Sequence, residues 1–510
     1  METKRFYRAI AFTSLFLAAM LPTLVVRIPA MEDFLDHLSR MYILAASSTN
    51  EPNPYYQVSW ALYPYLAMDL IVPLLGRVIS IEAAAKVFFL TSQLLIVAGA
   101  VALEIAVKRR HVLAGFAALL TLDSMPFSLG LLEFEFGTGI ALWGIAAWIA
   151  LSRHDRRLCF AANAIFVPVL FLSHLFALGI YGLTIGILEL KRLVVPSVDV
   201  RRLFISAIGL VGPVVLMFFF MNVSGATAST GDNQWWFIAK PIWLALFLNG
   251  YNIPLAAGSG AALAVLLIYG AIKRDLYLSA DGKWIAIGFL LVFLAMPFKL
   301  FGSRMADIRM ITAALLILPA FANFTPRVRS FGYLVATIVG AIIVINIGYT
   351  GYVWISYQDD YKAMKASFAL LRQNSFVLVG SSPAPVPNLF LEAPMSRSPT
   401  LAVHYAKSFV SSLYTLPGTH AVEVRPEWKS LDVNGKTESY QPPSLTTLKT
   451  IAEGGSPSGA PRYIHNWADD FDYVYVLGPH PTSDIPARLV EIAANRRFTL
   501  YRIRRPNNIE

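Results

Sequence analysis

Four ionisable side chains are spaced along one face of a short segment near the start of the chain. Within residues 31–44 (MEDFLDHLSRMYIL), Asp33, Asp36, His37 and Arg40 fall at positions i, i+3, i+4 and i+7. This spacing predicts a helix that carries all four on one side. A carboxylate can accept a proton from an attacking hydroxyl or hold a divalent cation, and a guanidinium can pair with a phosphate. The segment is therefore suited to transfer chemistry on a phosphate-linked substrate.

Other ionisable and aromatic side chains interrupt the apolar stretches further along the chain. Such groups are costly near a hydrocarbon layer and usually belong to functional sites. We expect the loops that carry them to meet at one face of the protein, beside the helix of residues 31–44. The residues are Asp69, Asp123, Glu133, Glu135, His174, Trp235, Trp236, Lys240, Lys299, Arg304, Asp307 and Arg309.

Each of these signals also has a structural alternative. Asp33 and Asp36 could solvate an interfacial helix, and Glu133 with Glu135 could form a polar turn. His174 could be a packed, hydrogen-bonded histidine. Arg304, Asp307 and Arg309 could form a structural ion-pair cluster. Trp235 and Trp236 could be anchors of the aromatic belt at the membrane interface.

The composition places these residues in a membrane protein. Of the 510 residues, 56% are hydrophobic and 15% are charged, and the mean hydropathy is +0.56. Soluble domains carry about 25% charged residues. The net charge of +10 lies largely in short clusters between apolar runs, so it indicates membrane topology rather than nucleic-acid binding. The single cysteine, Cys159, excludes an internal disulfide, and no P-loop, HExxH, GxSxG or CxxC motif is present.

Eleven apolar runs are candidates for transmembrane helices, at 8–28, 84–106, 112–127, 130–151, 158–173, 174–190, 203–222, 254–272, 284–299, 308–323 and 331–351. Six basic clusters test this count, and they are Lys4/Arg5/Arg8, Lys108/Arg109/Arg110, Arg153/Arg156/Arg157, Lys191/Arg192 with Arg201/Arg202, Lys273/Arg274 and Arg327/Arg329. With a cytoplasmic N-terminus, eleven spans bring all six clusters to the cytoplasmic side. The sequence therefore predicts an α-helical polytopic protein of the cytoplasmic membrane.

The segment 60–80 (WALYPYLAMDLIVPLLGRVIS) is apolar enough to be a twelfth span. Counting it as a span would move the later basic clusters outside, and Pro64, Asp69 and Pro73 fit poorly with a lipid-facing helix. We therefore interpret it as a second juxtamembrane or re-entrant element, with a Pro-kinked span as the alternative. The first outer loop then covers residues 29–83.

A change of composition after residue 354 predicts a separate extracytoplasmic domain. Residues 376–380, 473–478 and 498–503 have the pattern of buried strands, and 485–495 is predicted as a helix between the last two strands. The stretch 441–461 is rich in Pro, Gly and Ser and predicts a loop. The predicted organisation is a transmembrane module over 1–354 and a small α/β domain over 355–510.

This architecture resembles the GT-C superfamily of integral-membrane glycosyltransferases, which use polyprenyl-phosphate-linked sugars. The resemblance covers the whole chain, from the long first outer loop to the C-terminal outer domain. In that family an acidic residue at the start of the first outer loop acts as a base or binds a metal ion, and Asp33 matches it, beside Glu32 and Asp36. A second acidic element matches the LEFEFG segment with Glu133 and Glu135.

The resemblance implies roles for the remaining candidates. A late arginine that meets the lipid phosphate corresponds to Arg304 or Arg309, with Lys299 beside them. Asp33 would deprotonate the acceptor, with inversion at the sugar, and Asp33 with Asp36 are candidate ligands for Mg²⁺ or Mn²⁺. Other side chains expected to take part or to orient the acceptor are His37, Glu133, Glu135, Glu32, Arg40, His174, Trp235, Trp236 and Asp307.

The implied partners are a polyprenyl-phosphate sugar, a lipid, glycan or protein acceptor, and the bilayer, with no nucleic acid. The C-terminal domain would lie outside the cytoplasmic membrane of a bacterium. Two other classes of function compete with this one. A transporter or flippase of a lipid-linked or polar solute would also place charges in a helical bundle, although the two halves of the chain show no evident symmetry. A non-catalytic assembly protein would explain the outer domain but not the charges of residues 31–44.

Overall fold

The computed structural model describes residues 2–47, 52–108, 113–191, 200–224, 233–300, 303–382, 393–415, 419–433 and 442–505. Three members of the predicted basic clusters, Arg109, Arg110 and Arg192, lie outside these residues. The chain forms two compact units. We call Met1–Val25, Ala61–Met68 and Lys86–Tyr352 the helical unit, and Val26–Trp60, Asp69–Ala85 and Val353–Glu510 the α/β unit.

Helices occupy most of the chain before residue 357. They are α1 (Glu2–Val25), α2 (Phe34–Ala46), α3 (Ala67–Leu75), α4 (Ile81–Lys108), α5 (Ala114–Thr121), α6 (Met125–Leu129), α7 (Leu132–Leu151), α8 (Arg156–Ser173), α9 (Leu175–Leu190), α10 (Val200–Val223), α11 (Ala239–Leu246), α12 (Ile253–Ile272), α13 (Ala280–Ala295), α14 (Ile308–Phe321) and α15 (Arg329–Ser356). After them come α16 (Gln358–Ser367), α17 (Ala402–Tyr405), α18 (Leu445–Ala452) and α19 (Trp467–Asp470).

The nine strands are β1 (Tyr56–Val58), β2 (Leu276–Leu278), β3 (Ala322–Phe324), β4 (Phe376–Ser381), β5 (Phe409–Val410), β6 (Val422–Val424), β7 (Tyr473–Leu477), β8 (Leu489–Asn495) and β9 (Phe498–Ile503) among the described residues. Side-chain caps begin several helices, because the first backbone N–H groups of a helix need an acceptor. The capping residues are Asp155 for α8, Asn252 for α12, Ser279 for α13 and Ser444 for α18.

Four helices within the described residues are long and apolar enough to cross a membrane, and they are Ile81–Lys108, Leu132–Leu151, Ile253–Ile272 and Arg329–Leu370. Six shorter apolar helices accompany them, at Ala9–Val25, Ala114–Leu129, Arg157–Ser173, Leu175–Leu190, Ala207–Val223 and Ile308–Phe321. The predicted span 112–127 is interrupted between α5 and α6, where Ser124 is extended and Pro126 lies in the first turn of the next helix. The count of eleven spans stays a prediction.

The segment 60–80 is helical only in α3, which has nine residues. At 1.5 Å per residue such a helix is about 13 Å long, less than half of a hydrocarbon layer of about 30 Å. The segment therefore contains no spanning helix. This result agrees with the prediction of a juxtamembrane or re-entrant element.

The α/β unit contains a five-stranded sheet of order β5-β4-β7-β9-β8. Strand β4 pairs in parallel with β5 and β7, whereas β9 pairs antiparallel with β7 and β8. All five residues of β7 are buried. Three of these strands, β4, β7 and β9, confirm the three that the sequence predicts.

The predicted helix at 485–495 is wrong. Residues 489–495 form β8, which makes an antiparallel hairpin with β9 through a two-residue turn at Arg496 and Arg497. Alanines at 493 and 494 favour a helix locally, but pairing with β9 satisfies the backbone of this segment instead. Tertiary pairing has therefore overridden the local preference.

The first outer loop is integrated into the α/β unit by backbone pairing. Strand β1 pairs antiparallel with β6, with Tyr56 opposite Val424. The hydroxyl groups of Ser39 on α2 and Thr400 lie 2.8 Å apart, and Thr400 also donates to the carbonyl of Leu35. These contacts fix α2 against the segment that leads into α17.

Candidate active site

Helix α2 carries the carboxylates that the sequence singles out. Asp33 is the N-cap residue, and its side chain makes no capping hydrogen bond to the first turn. Asp36 and Arg40 lie within the helix and are buried. The side chain of Asp33 is 37% exposed. The carboxylate of Asp33 is therefore accessible, whereas that of Asp36 is enclosed. Two carboxylates in such different environments can take different roles in acid–base chemistry.

Arg397 brings the C-terminal part of the chain to these carboxylates. Its Nε lies 3.8 Å from Oδ1 of Asp33, and its side chain is 13% exposed. Asp36 accepts a hydrogen bond of 3.1 Å from the backbone N–H of Tyr414. Burial raises the pKa of Asp36 above its ordinary value, and the positive charges of Arg397 and Arg40 act in the opposite direction.

Arg40 forms the buried centre of the same region. Its guanidinium donates to Oδ1 of Asp69 at 3.0 Å, and neither side chain is exposed to solvent. The other terminal nitrogen of Arg40 lies 3.2 Å from Nε2 of His420. Because a guanidinium only donates, His420 accepts here and is neutral. Burial, with the charges of Arg40 and His37, holds the pKa of His420 well below its ordinary value.

The other first-loop candidates flank this cluster. Glu32 and His37 are both half-buried, and His37 is one of the groups that lower the pKa of His420. Asp69 also accepts a weak hydrogen bond of 3.5 Å from the backbone of Ala421. The first outer loop and the strand β6 region are thus joined through one polar cluster.

A second group of candidates lies in the helical unit around Arg309. The guanidinium carbon of Arg309 lies 4.5 Å from the ring centre of Phe176 and 5.6 Å from that of Phe134. One of its terminal nitrogens donates to the hydroxyl of Ser303 at 3.0 Å. Arg309 is buried, whereas Arg304 is exposed. Contacts with two aromatic rings hold a guanidinium in place, and a guanidinium can pair with an anion through its planar edge.

His174 lies at the junction of α8 and α9 and caps the second of these helices. Its Nδ1 accepts from the backbone N–H of Phe176 at 3.1 Å. The imidazole packs against Tyr65, at 4.7 Å between ring centres, and against Phe134 at 5.5 Å. Arg309 is its charged neighbour. The packed histidine that the sequence analysis kept as an alternative is the arrangement observed.

Glu133 and Glu135 lie in the helix α7, so the alternative of a polar turn between helices does not apply. Both are buried, with exposed fractions of 5% and 1%. Both carboxylate oxygens of Glu135 are enclosed without a hydrogen-bond partner among the described residues. Helix α7 starts at Leu132, so both glutamates belong to its first turn.

The remaining candidates hold loops of the helical unit together. Lys240 donates to Asp307 at 3.2 Å and to the carbonyls of Phe293 and Met296 at the end of α13. Asp307 is also the N-cap of α14. The backbone of Lys299 pairs with that of Gln234.

Trp235 and Trp236 come directly after Gln234 in the sequence, and they are 53% and 50% exposed. The indole of Trp235 donates to the carbonyl of Ala295. An exposed pair of indoles that is tethered by one hydrogen bond is typical of the membrane interface. Asp123, a further intramembrane carboxyl, is buried between α5 and α6.

The predicted metal ligands Asp33 and Asp36 both have positively charged side chains near them. Among the described residues, no group of three or more His, Cys, Asp or Glu side chains is arranged to hold a metal ion. Asp36 accepts a backbone N–H instead, and the two guanidinium groups nearest to it are Arg397 and Arg40. A metal ion between Asp33 and Asp36 would lie beside the guanidinium of Arg397.

The sequence analysis did not identify three residues that the structure brings to α2. These are Arg397, Tyr414 and His420, which lie in the polar C-terminal part of the chain. No motif distinguishes them from other polar residues there. The candidates thus form one group in each unit, around Asp33 in the α/β unit and around Arg309 in the helical unit.

No family model and no curated protein matches this sequence. Solved structures do match. The crystal structure of ArnT from Cupriavidus metallidurans bound to undecaprenyl phosphate has a TM-score of 0.50 at 11% identity, over 97% of this chain and 98% of that one. A cryo-EM structure of the arabinofuranosyltransferase AftD from Mycobacteria has a TM-score of 0.50 at 12% identity. That match covers 99% of this chain, which spans 40% of AftD.

These likenesses define the class of the fold. The chain has the fold of these two structures over nearly its whole length.

Proposed function

We propose that this protein is a membrane glycosyltransferase that moves a sugar from a polyprenyl-phosphate donor to an acceptor hydroxyl at the outer face of the cytoplasmic membrane. One observation carries the proposal: nearly the whole chain has the fold of ArnT, whose structure was solved bound to undecaprenyl phosphate. The acceptor is a lipid, glycan or protein, and the sugar is a hexose or a pentose.

Asp33 is the proposed general base. Its partial exposure leaves the carboxylate accessible to an acceptor, and the guanidinium of Arg397 lies beside it. The acceptor oxygen attacks the anomeric carbon while its proton passes to Asp33. The bond between the anomeric carbon and the phosphate oxygen breaks, and polyprenyl phosphate leaves with the electron pair. A single displacement of this kind inverts the configuration of the sugar.

Arg309 is the proposed ligand of the donor phosphate, with Arg304 and Lys299 adding positive charge nearby in the sequence. The stacking of Arg309 on Phe176 and Phe134 supports this role, because a guanidinium held between rings loses little freedom on binding an anion. The other candidates of both units are proposed to take part in transfer or to orient the acceptor, and they are Asp36, Glu32, His37, Arg40, Glu133, Glu135, His174, Trp235, Trp236 and Asp307.

The test is transfer by membranes that contain the Asp33→Asn variant. Membranes are supplied with a panel of polyprenyl-phosphate hexoses and pentoses, and free polyprenyl phosphate is measured as the product. We expect Asp33→Asn to lower the rate by at least about 100-fold, as loss of a general base does, with wild-type expression. Asp469→Asn is the matched control, since that carboxylate is 69% exposed and pairs with Arg488 at the surface.

Full activity of the Asp33→Asn protein would exclude Asp33 as the base. Lipid profiles of a deletion strain separate this function from transport. A transferase leaves a sugar-lipid donor to accumulate, together with unmodified acceptor. If the protein is a flippase, its deletion changes the leaflet in which the intact sugar lipid is found. In that case wild-type membranes release no polyprenyl phosphate.

A further inference from the structure

Arg397 is held rigidly beside the two carboxylates of α2. A terminal nitrogen of Arg397 donates to the carbonyl of Ser412 at 3.2 Å, while its Nε faces Asp33 at 3.8 Å. Its own carbonyl accepts from the N–H and from the hydroxyl of Thr400, at 3.1 and 2.7 Å. Thr400 is in turn bonded to α2. Hydrogen bonds to both the backbone and the side chain of Arg397 thus hold its guanidinium near Asp33.

Arg40, the second arginine near Asp36, makes different contacts. Arg40 is fully buried and spends its two terminal nitrogens on Asp69 and His420. Arg397 is therefore the cation that faces the accessible carboxylate, and it also acts on Asp36. A divalent metal ion often serves beside paired carboxylates, and here the guanidinium of Arg397 lies beside Asp33 and its positive charge acts on Asp36.

We infer that Arg397 is a positioning residue whose guanidinium takes the place of a divalent metal ion at Asp33 and Asp36, so that glycosyl transfer needs no metal. This inference rests on the proposed function for its kinetic consequences. A guanidinium is permanently charged and planar, so it can fix the direction of the Asp33 carboxylate towards the acceptor. It makes the C-terminal part of the chain a component of the active site rather than a cover for it.

The kinetic test compares metal removal with removal of the guanidinium. We expect EDTA-treated wild-type membranes to retain their full rate. Arg397→Ala should lower kcat by roughly 100-fold, because a misplaced base costs about that much, with a smaller change in KM. Free guanidinium ion should restore part of the rate to Arg397→Ala, while an equal concentration of sodium ion should not. Arg397→Lys should lie between, since an ammonium keeps the charge and loses the planar geometry.

Arg488→Ala is the matched control, because this arginine pairs with Asp469 at the surface of the same unit. Its rate should equal that of the wild type with and without guanidinium. An Arg397→Ala protein with wild-type kcat would overturn the positioning role. Loss of wild-type transfer in EDTA, with recovery on adding Mn²⁺, would overturn the metal-free mechanism.

A binding measurement decides the inference independently of transfer. Paramagnetic resonance of Mn²⁺ titrated into the detergent-purified full chain should show no site that depends on Asp33. Stoichiometric Mn²⁺ binding that disappears in Asp33→Asn would overturn the inference, whatever the activity. If no donor supports transfer and Mn²⁺ still does not bind, the proposed function fails while the assignment of Arg397 as the counter-ion of Asp33 stands.

Discussion

At the scale of single residues, His420 is a neutral imidazole enclosed by positive charge. It accepts from Arg40, and the nearby His37 adds to the field that opposes its protonation. Burial removes the water that would stabilise an imidazolium. The low pKa of His420 therefore depends on the folded cluster that joins α2, Asp69 and the β6 region.

We predict that the stability of the α/β unit falls as the pH drops below about 6.5, the ordinary pKa of histidine. The pKa of His420 is lower in the folded than in the unfolded state, so between the two values the unfolded chain binds more protons. The free energy of unfolding therefore decreases with falling pH, by up to about 1.4 kcal/mol per pH unit for one histidine. Above the ordinary pKa this contribution is fully present.

The measurement is the melting temperature of the detergent-purified full chain between neutral and mildly acidic pH. His420→Gln can still accept from Arg40 but does not titrate, so its melting temperature should depend less steeply on pH. His465→Gln is the control, because His465 is exposed and its imidazole bonds to the carbonyl of Ala460. Equal slopes for His420→Gln and the wild type would refute the assignment of a buried neutral histidine.

At the scale of elements, close packing of α7 against α4 determines where Glu133, Phe134 and Glu135 lie. A Cβ atom added to Gly139 of α7 would lie 2.6 Å from Cβ of Leu95 and 3.1 Å from the backbone nitrogen of Ile96. Neither atom is the flexible end of a side chain. The two helices therefore touch along their backbones, as small residues allow in membrane proteins.

We predict that Gly139→Ala destabilises the helical unit by about 1–3 kcal/mol, the usual cost of overpacking. Gly179→Ala is the matched control, because the same substitution in α9 meets no atom within 4 Å. That control should be neutral or stabilising, since alanine favours helix over glycine. Melting of both variants in detergent would measure the difference, and equal melting temperatures would contradict the packing described here.

At the scale of the whole chain, the α/β unit is assembled from three separate stretches of sequence. Val26–Trp60 and Asp69–Ala85 come from the first outer loop and its continuation, and Val353–Glu510 supplies the sheet. Strand β1 finds its partner in β6, and the side-chain amide of Gln358 bonds to the backbone of Ile28. The first outer loop therefore has no independent core.

We predict that a chain ending at residue 352 leaves residues 26–60 sensitive to proteolysis, because β1 and α2 lose the surfaces on which they pack. Limited proteolysis followed by mass spectrometry would locate the new cleavage sites. A full chain cut once at an inserted protease site between Gly454 and Gly459 is the control, since it keeps every partner of the loop. Equal protection of residues 26–60 in the truncated and the control chains would show that the loop folds alone.

The sequence by itself determined the membrane setting, α2, the strands β4, β7 and β9, and Asp33 as a candidate, because these depend on composition and on residues a few positions apart. It predicted a helix where β8 lies, because the local preference of this segment does not show its pairing with β9. Tertiary structure alone decided which groups surround the α2 carboxylates. Asp36 and Tyr414 are 378 residues apart, and Arg40 and His420 are 380 apart. No local pattern encodes such pairs, since they depend on the packing of distant segments into one core.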